Sequence, residues 1–479
     1  MTSRSLELLI SLSRDGNATL GAQIEDQIRC AVRSGRLGPG ASLPSTRDLA
    51  QQLGISRPLV VEAYARLAAD GYLSLRQGAR PRVSACVVIK NSGLLEPTPA
   101  TPQPRFDFLP AMPDLSAFPR ARWLKAYRSA LMKMPSDDLG YRDRHGSLVL
   151  RRALADYLGR VRGLVTDPGR IIVISGFEQG RSLVCRALQA IGAKSIAVED
   201  PSYTEWEPVH RAGLKIIPIP VDENGMRTDL LVNHRADAIM LTPAHQFPTA
   251  IVMSGERRRE LLAWLARSDA YAIEDDYDAE YRYDRAPTSA LQGLDPDHVI
   301  YAGTVSKTLA PALRLGWLVV PGRLLEAVQT EQRLTDYGCS RIEQHALAQF
   351  MTTGEYDRHL RRMRQHYRIR RDALLAALAS ELPEARIDGI SAGLHATVRL
   401  PTEYDEDAIR REVNRGGIAL EFLSDHCVGP RSGPPTLLLG YARSSESSVR
   451  AGVRALASAI RAAQTSTPPI AIPAKAGTH

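Results

Sequence analysis

The chain has 479 residues, 44% hydrophobic and 24% charged, which is the composition of folded domains and excludes wholesale disorder; at roughly 100–200 residues per domain it predicts two to four of them. No run approaches the roughly 18 apolar residues of a membrane span, and the start lacks a signal-peptide core and cleavage site. Five cysteines, widely spaced and without a CxxC pair, argue against a disulfide framework and a structural zinc site, so a reducing cytoplasm is expected.

The basic excess is uneven. Of a net +8, residues 1–85 carry half, with 11 arginines, no lysine and 7 acids. Within this segment Leu20, Ile24, Ile28, Ala31 and Val32 recur at helical spacing. Gly35, Gly38, Pro39 and Gly40 then end that helix. A short helix follows, capped by Ser45 or Thr46, with Leu49, Ala50 and Leu53 on its apolar face. Gly54 supplies a tight turn, and Ser56 caps a second helix with Pro58 in its first turn. Two short helices joined this way are a helix-turn-helix, whose second helix enters a DNA major groove. Residues 71–84 read as a two-stranded wing turning at Gln77–Gly78.

Residues 17–85 resemble the GntR-type winged helix-turn-helix through Leu43-Pro44-Ser45-Thr46-Arg47, Leu53-Gly54-Ile55-Ser56-Arg57 and Gly71-Tyr72-Leu73. The resemblance implies double-stranded operator DNA as partner. Arg47 and Arg57 are the implied DNA contacts, Ser45 and Ser56 the phosphate contacts, and Arg76 with the backbone near Gly78 the contacts of the wing. Leu59 and Ala79-Arg80-Pro81-Arg82 depart from the usual pattern and bear on operator sequence, not on the fold.

Residues 86–105 hold four prolines from Pro97 onward and read as an extended linker. Beyond them strands alternate with helices. Strands are expected at 171–174, 195–198, 216–219, 238–241, 271–274, 298–302 and 316–320, with helices including 178–191 and 255–266. Such alternation implies a largely parallel sheet with helices on both faces, binding ligands beyond the carboxyl ends of its strands. Two loops there carry chemistry. Glu274-Asp275-Asp276-Tyr277 follows one strand, and Gly303-Thr304-Val305-Ser306-Lys307-Thr308 follows another, with Arg314 seven residues on. Lysines are scarce here, seven against 54 arginines, which draws attention to Lys307. A lysine that forms a Schiff base, a carboxylate for a pyridinium nitrogen and donors for a phosphate are what pyridoxal 5′-phosphate (PLP) requires.

Residues 106–463 resemble the fold-type I PLP-dependent aminotransferases, an α/β fold with a smaller α+β C-terminal subdomain at about 325–463. The resemblance implies Lys307 as the Schiff-base lysine, Asp275 at the pyridinium nitrogen and Tyr277 at the ring's 3-hydroxyl oxygen. Tyr203 stacks on the ring, and Thr304, Arg314 and the N–H groups at Gly176-Phe177 bind phosphate. Tyr141 matches a tyrosine that reaches the neighbouring subunit's phosphate, implying a homodimer. The order of the two modules resembles the MocR/GabR family of transcription regulators, as do Thr242-Pro243-Ala244-His245-Gln246-Phe247-Pro248-Thr249 and residues 343–364. In that family the dimer is typically head-to-tail and the PLP module generally senses an effector.

Departures concern what is sensed. Leu438 stands where aminotransferases carry the arginine that grips a substrate carboxylate, and Arg443 is a candidate substitute. Glu205 stands where some relatives carry a second arginine, Glu178 where a neutral residue is usual, Phe247 where enzymes carry an asparagine, and Ala250 where a glycine is usual. The expected function is a PLP-binding transcription regulator responding to PLP or to an amine or amino acid, with vitamin B6 or amino-acid metabolism genes as targets. The alternative is a working aminotransferase with a DNA-binding appendage. Residues 464–479 read as a disordered tail.

Overall fold

The computed structural model describes residues 10–14, 18–85, 103–141, 143–278, 280–283, 289–336, 338–429 and 433–466. Contacts divide the chain into two units, residues 1–102 and 103–479. Most of the expected linker and tail lies outside the described residues. Residues 103–105 belong to the second unit, where the Arg105 N–H donates to the Gly417 carbonyl at 2.8 Å. Helical structure continues through residue 466, so the terminal helix enters the segment read as tail.

The first unit comprises α1 (Leu20–Arg33), α2 (Thr46–Leu53), α3 (Arg57–Ala69) and the antiparallel pair β1 (Leu73–Ser74) and β2 (Arg82–Val83). Of the apolar faces read from the sequence, Ile24, Ile28, Ala31, Val32, Leu49 and Ala50 are buried, together with Val60, Ala63, Tyr64, Leu67, Leu73 and Val83. Ser45 is the cap of α2, its hydroxyl accepting from the Asp48 N–H at 3.1 Å, and Gly54 ends α2 in the left-handed conformation (φ 62°). Ser56 holds the corresponding place before α3, but its hydroxyl makes no capping bond. The Leu59 N–H, the counterpart of the donor that Ser45 caps, goes to the Ser56 carbonyl at 3.2 Å instead.

The second unit opens with β3 (Phe106–Asp107), α4 (Arg120–Lys133) and α5 (Leu148–Arg162). Then come β4 (Ile171–Ile174), α6 (Phe177–Ala190), β5 (Ser195–Asp200), α7 (Glu207–Arg211), β6 (Lys215–Asp222), β7 (Gly225–Met226) and β8 (Ala238–Leu241). The sheet is completed around α8 (Gly255–Ser268) by β9 (Tyr271–Asp276), β10 (Val299–Thr304) and β11 (Gly316–Val319). Strand order is β4-β11-β10-β9-β8-β5-β6-β7; β10, β9, β8, β5 and β6 run parallel, and β11 is antiparallel to both neighbours.

Alternate residues point to opposite sides of a strand. Ile172, Ile174, Val198, Met240, Ile273 and Ile300 pack against Leu183, Val184 and Leu188 of α6 and against Leu324 and Val328 of α9 (Gly322–Thr335). On the other side Ala197, Ile239, Leu241 and Ala272 meet Leu261, Trp264 and Leu265 of α8. The helix α9 therefore shares the sheet's core, although it overlaps the start expected for the small subdomain.

After α10 (Arg341–Thr352) and α11 (Glu355–Glu381) comes a second sheet. It is built from β12 (Arg386–Asp388), β13 (His395–Arg399), β15 (Glu421–Phe422) and β16 (Thr436–Gly440), all antiparallel. Helices α12 (Glu406–Arg415) and α13 (Glu446–Ser466) accompany it. The opening strand β3 does not join the large sheet; it pairs in parallel with β14 (Ile418–Ala419).

Candidate cofactor pocket and DNA-binding surface

In the first unit Arg29 pairs with Asp26 at 2.6 Å and Asp70 at 3.1 Å, and Arg66 pairs with Glu62 at 2.6 Å and Glu25 at 3.6 Å. Those carboxylates neutralise arginines away from the helix-turn-helix start. Arg47, Arg57 and Arg76 are exposed and form no ion pair among the described residues. Arg47 lies in the first turn of α2 and Arg57 opens α3, where free N–H groups also favour phosphate. Ser56 and Gly78 are exposed, and Ser45 is half-buried because its hydroxyl caps α2.

In the second unit the expected loops converge. The buried strands β9 and β10 are adjacent and in register, so Asp275 stands beside Ala302 and the loop carrying Lys307 leaves next to the one carrying Tyr277. Lys307, Tyr277, Tyr203 and Phe247 line one cavity of about 560 Å3 with Ala111, Glu178, Thr204, Glu205, Glu421, Asp425 and His426. Burial lowers the Lys307 ammonium below its ordinary range, against the opposing charges of Asp275 and Asp278. Burial likewise pushes the Asp275 carboxyl up to about 7, opposed by a hydrogen bond from the Tyr203 hydroxyl at 2.7 Å to Oδ2. Its other oxygen, Oδ1, is buried with no hydrogen-bond partner among the described residues. A buried acceptor left open is costly unless something binds it.

At the other end of the loop, Gly176 enters α6 with φ 97°, a conformation that favours glycine. A Cβ there would lie 3.1–3.2 Å from the Arg314 guanidinium, so the same glycine leaves room for the arginine at the helix start. Arg314 itself holds a left-handed backbone (φ 48°) and makes no ion pair among the described residues. Thr304, buried at the end of β10, donates to the Leu315 carbonyl at 3.1 Å and accepts from the Ser306 N–H at 3.1 Å. An arginine, hydroxyls and the free N–H groups at Gly176-Phe177 make an anion site. The orphaned Asp275 oxygen, the lysine of lowered basicity and this anion site fit PLP.

Of the departures marked in the sequence, Glu178, Glu205 and Phe247 line the cavity. Tyr203 stacks on Phe247 at 4.9 Å between ring centroids, 12° from parallel, while its hydroxyl meets Asp275. Leu438 is buried within β16, and Arg443 pairs with Asp107, so Arg443 does not take the missing arginine's place in the cavity. Glu178 is held at 2.5 Å by Arg181, a buried guanidinium that also donates to the Glu205 carbonyl. Glu421 pairs with His426 at 3.0 Å and Asp425 with Arg410 at 2.9 Å. Among the described residues no arginine lines the cavity. Tyr141 does not reach it either; its side chain is 93% exposed.

Three residues of the site lie outside the expected set. His245 and Asp278 are buried against Tyr277, and Arg181 lies behind the acidic wall. His245 stood within a recognised motif and Asp278 one residue after a recognised one, whereas Arg181 had no signal beyond its helix.

A largely parallel sheet that presents a lysine of lowered basicity near a buried aspartate, in a chain that also folds a winged helix, defines a DNA-binding regulator with an aminotransferase-like domain. The comparisons agree. The aminotransferase class I and II family matches residues 112–415, and the bacterial regulatory proteins of the gntR family match residues 20–83. The HTH-type pyridoxine biosynthesis transcriptional regulator PdxR of Corynebacterium glutamicum is 33% identical over 93% of this chain and 96% of its own. The probable rhizopine catabolism regulatory protein MocR of Rhizobium meliloti is 31% identical over 96% and 97%. The crystal structure of a multiple substrate aminotransferase from Thermococcus profundus superposes with a TM-score of 0.69, at 26% identity, over 77% of this chain and 94% of that one.

The chain belongs to the MocR-type HTH transcriptional regulators. Its N-terminal domain is a GntR-family DNA-binding domain, PLP is the cofactor of its larger domain, and regulation is favoured over enzymatic turnover.

Proposed function

We propose that occupancy of the pocket at Lys307, by PLP or by an amine that reacts there, controls binding of the N-terminal domain to operator DNA. The observation that carries this reading is the pairing of a lysine of lowered basicity with a buried aspartate whose Oδ1 has no partner among the described residues. Bound PLP supplies an electrophilic aldehyde carbon. Lys307 is the nucleophile aimed at it, and its lowered basicity keeps more of the amine uncharged at neutral pH. Asp275 holds the ring nitrogen, Tyr277 faces the 3-oxygen and Tyr203 covers a ring face. Thr304, Arg314 and the N–H groups at Gly176-Phe177 hold the phosphate. Tyr141 is offered to a second copy of the chain, which supports a head-to-tail homodimer.

The acids of the cavity wall and the buried Leu438 support PLP itself, or an amine without a carboxylate, as the effector. The relative named for pyridoxine biosynthesis supports vitamin B6 supply genes as the target. A reducing cytoplasm is the matching compartment.

The test is a fluorescence titration of the full chain against a duplex from upstream of its own gene, with and without PLP, repeated with Lys307→Ala. The reading expects PLP to change the affinity and Lys307→Ala to abolish that response. An unchanged response in the variant overturns it. Rapid conversion of bound PLP to pyridoxamine phosphate by a panel of amino acids would favour the aminotransferase instead.

A further inference from the structure

Behind Tyr277 lies a pair of buried side chains that the cofactor reading leaves without a task. His245 is 2% exposed and Asp278 1%. The His245 Nδ1 is 3.0 Å from Asp278 Oδ2 and 3.1 Å from the Tyr277 hydroxyl oxygen. We propose that Asp278 and His245 are positioning residues that fix the direction in which Tyr277 donates its hydroxyl proton, and thereby set the proton affinity of the cofactor group that Tyr277 faces. This rests on the placement of PLP at Lys307.

The argument is one of donors and acceptors. In this assignment the Asp278 carboxylate oxygen accepts, and the hydrogen between it and His245 belongs to Nδ1. That N–H is shared with the Tyr277 oxygen, which therefore accepts on this side. Its own hydrogen must point elsewhere, and Tyr277 also lines the cavity that holds Lys307.

The fold reserves space for this arrangement. Gly393 has φ 79°, and a Cβ there would lie 2.1 Å from His245 Cε1 and 2.7 Å from Asp278 Oδ2. The Gly393 carbonyl is pinned by the hydroxyls of Tyr283 at 2.7 Å and Tyr441 at 2.8 Å. Phe247 supplies no donor at the place where the resemblance puts an asparagine, so Tyr277 bears more of the task. The titratable groups around the pair include Tyr277, whose hydroxyl burial holds well above its ordinary range, and His395, with ring centroid 5.3 Å from that of His245; Lys307, Glu280, Tyr203 and Tyr283 also feel the Asp278 charge. Burial pushes His395 down to about 4, which leaves it neutral near pH 7. Asp275, Asp276 and Glu199 act on Tyr277 from a greater distance.

His245→Phe is the discriminating change. It removes the N–H donated to the Tyr277 oxygen, and a hydroxyl that accepts no hydrogen bond is a weaker donor of its own. A hydrogen bond donated to an oxygen favours its negative form, so weakening it leaves that oxygen holding more tightly the proton it shares with the lysine-derived nitrogen. The experiment follows visible absorbance of the PLP-loaded full chain against pH. The titration midpoint is expected to rise in both His245→Phe and Tyr277→Phe, by about one pH unit in the latter. The double variant should rise no further than Tyr277→Phe, because both changes act through one interaction. An unmoved midpoint in His245→Phe, or additive shifts in the double variant, overturns the proposal. If His245→Phe does not fold, His245→Leu is read against Tyr277→Phe by the same cycle. No titrating band in the unaltered chain would instead overturn the placement of PLP at Lys307.

Discussion

The two units of the chain place their functional charges in opposite ways. In the N-terminal domain the apolar face is closed by helix packing, and Arg47, Arg57 and Arg76 stand in solvent without ion pairs among the described residues. In the larger domain Asp275, Asp276, Asp278, Glu274 and Arg162 are buried at the carboxyl edge of a sheet. Exposed charge attracts a polyanion at little folding cost and is screened by salt. Buried charge holds a small ligand in a fixed orientation, but only while each group keeps its partner. Substitutions in the first set should alter binding alone, and those in the second should alter stability as well.

The sharpest separation is expected from Arg162→Ala. Its Nε lies 2.6 Å from Asp276 Oδ2, with side chains 1% and 2% exposed, beneath the loop that bears Tyr277. Removing one partner leaves a buried charge and should cost about 3–5 kcal/mol in denaturant unfolding of the larger domain. A loss below about 1 kcal/mol would show that water reaches this pair and would blur the contrast.

Next in size is the pH dependence of Asp275. Burial raises its carboxyl to about 7, so the folded chain keeps a proton that the unfolded chain releases from pH 4 upward. The stability this group contributes is therefore present at low pH and lost as pH rises from about 4 to about 7. In ligand-free protein, Asp275→Asn should gain stability relative to the unaltered chain between pH 5 and pH 8. Parallel unfolding curves at those two pH values would contradict the buried placement.

For the exposed set, Arg57→Ala should weaken operator binding about tenfold and, if the contact is to phosphate, reduce the slope of log affinity against log salt by about one. Its unfolding should shift by no more than about 0.5 kcal/mol. A lowered melting temperature would break the comparison from the other side. The smallest effect concerns Ala250, which stands at φ 60° where a glycine is usual. Ala250→Gly relieves left-handed strain but adds freedom to the unfolded chain, and a net stabilisation under about 1 kcal/mol is expected from calorimetry.

What could be read from the sequence follows the range of the interactions concerned. The seven strands were legible because each is a short apolar run with its own boundaries. Lys307, Asp275 and Tyr277 were legible because their loops are continuous in sequence. The shared proton of His245 and Asp278 was not, since it depends on two loops and on Gly393 meeting in space. Tyr203 was expected on the cofactor ring, but its hydroxyl on Asp275 and its stacking on Phe247 are tertiary facts that no spacing encodes. The bond expected from the Ser56 hydroxyl is not made, and the Leu59 N–H it would take donates to the Ser56 carbonyl instead. The pairing of β3 with β14 joins two-residue strands from opposite ends of the larger domain, which no periodicity could announce.

That last pairing has a mechanical consequence. Residues 103–107 are sewn to the small C-terminal subdomain by the Arg105–Gly417 bond, the β3–β14 register and the Asp107–Arg443 ion pair. The first described residues of the larger unit are therefore fastened to the elements that carry Glu421, Asp425 and His426 of the pocket wall, not to the sheet that leads to Lys307.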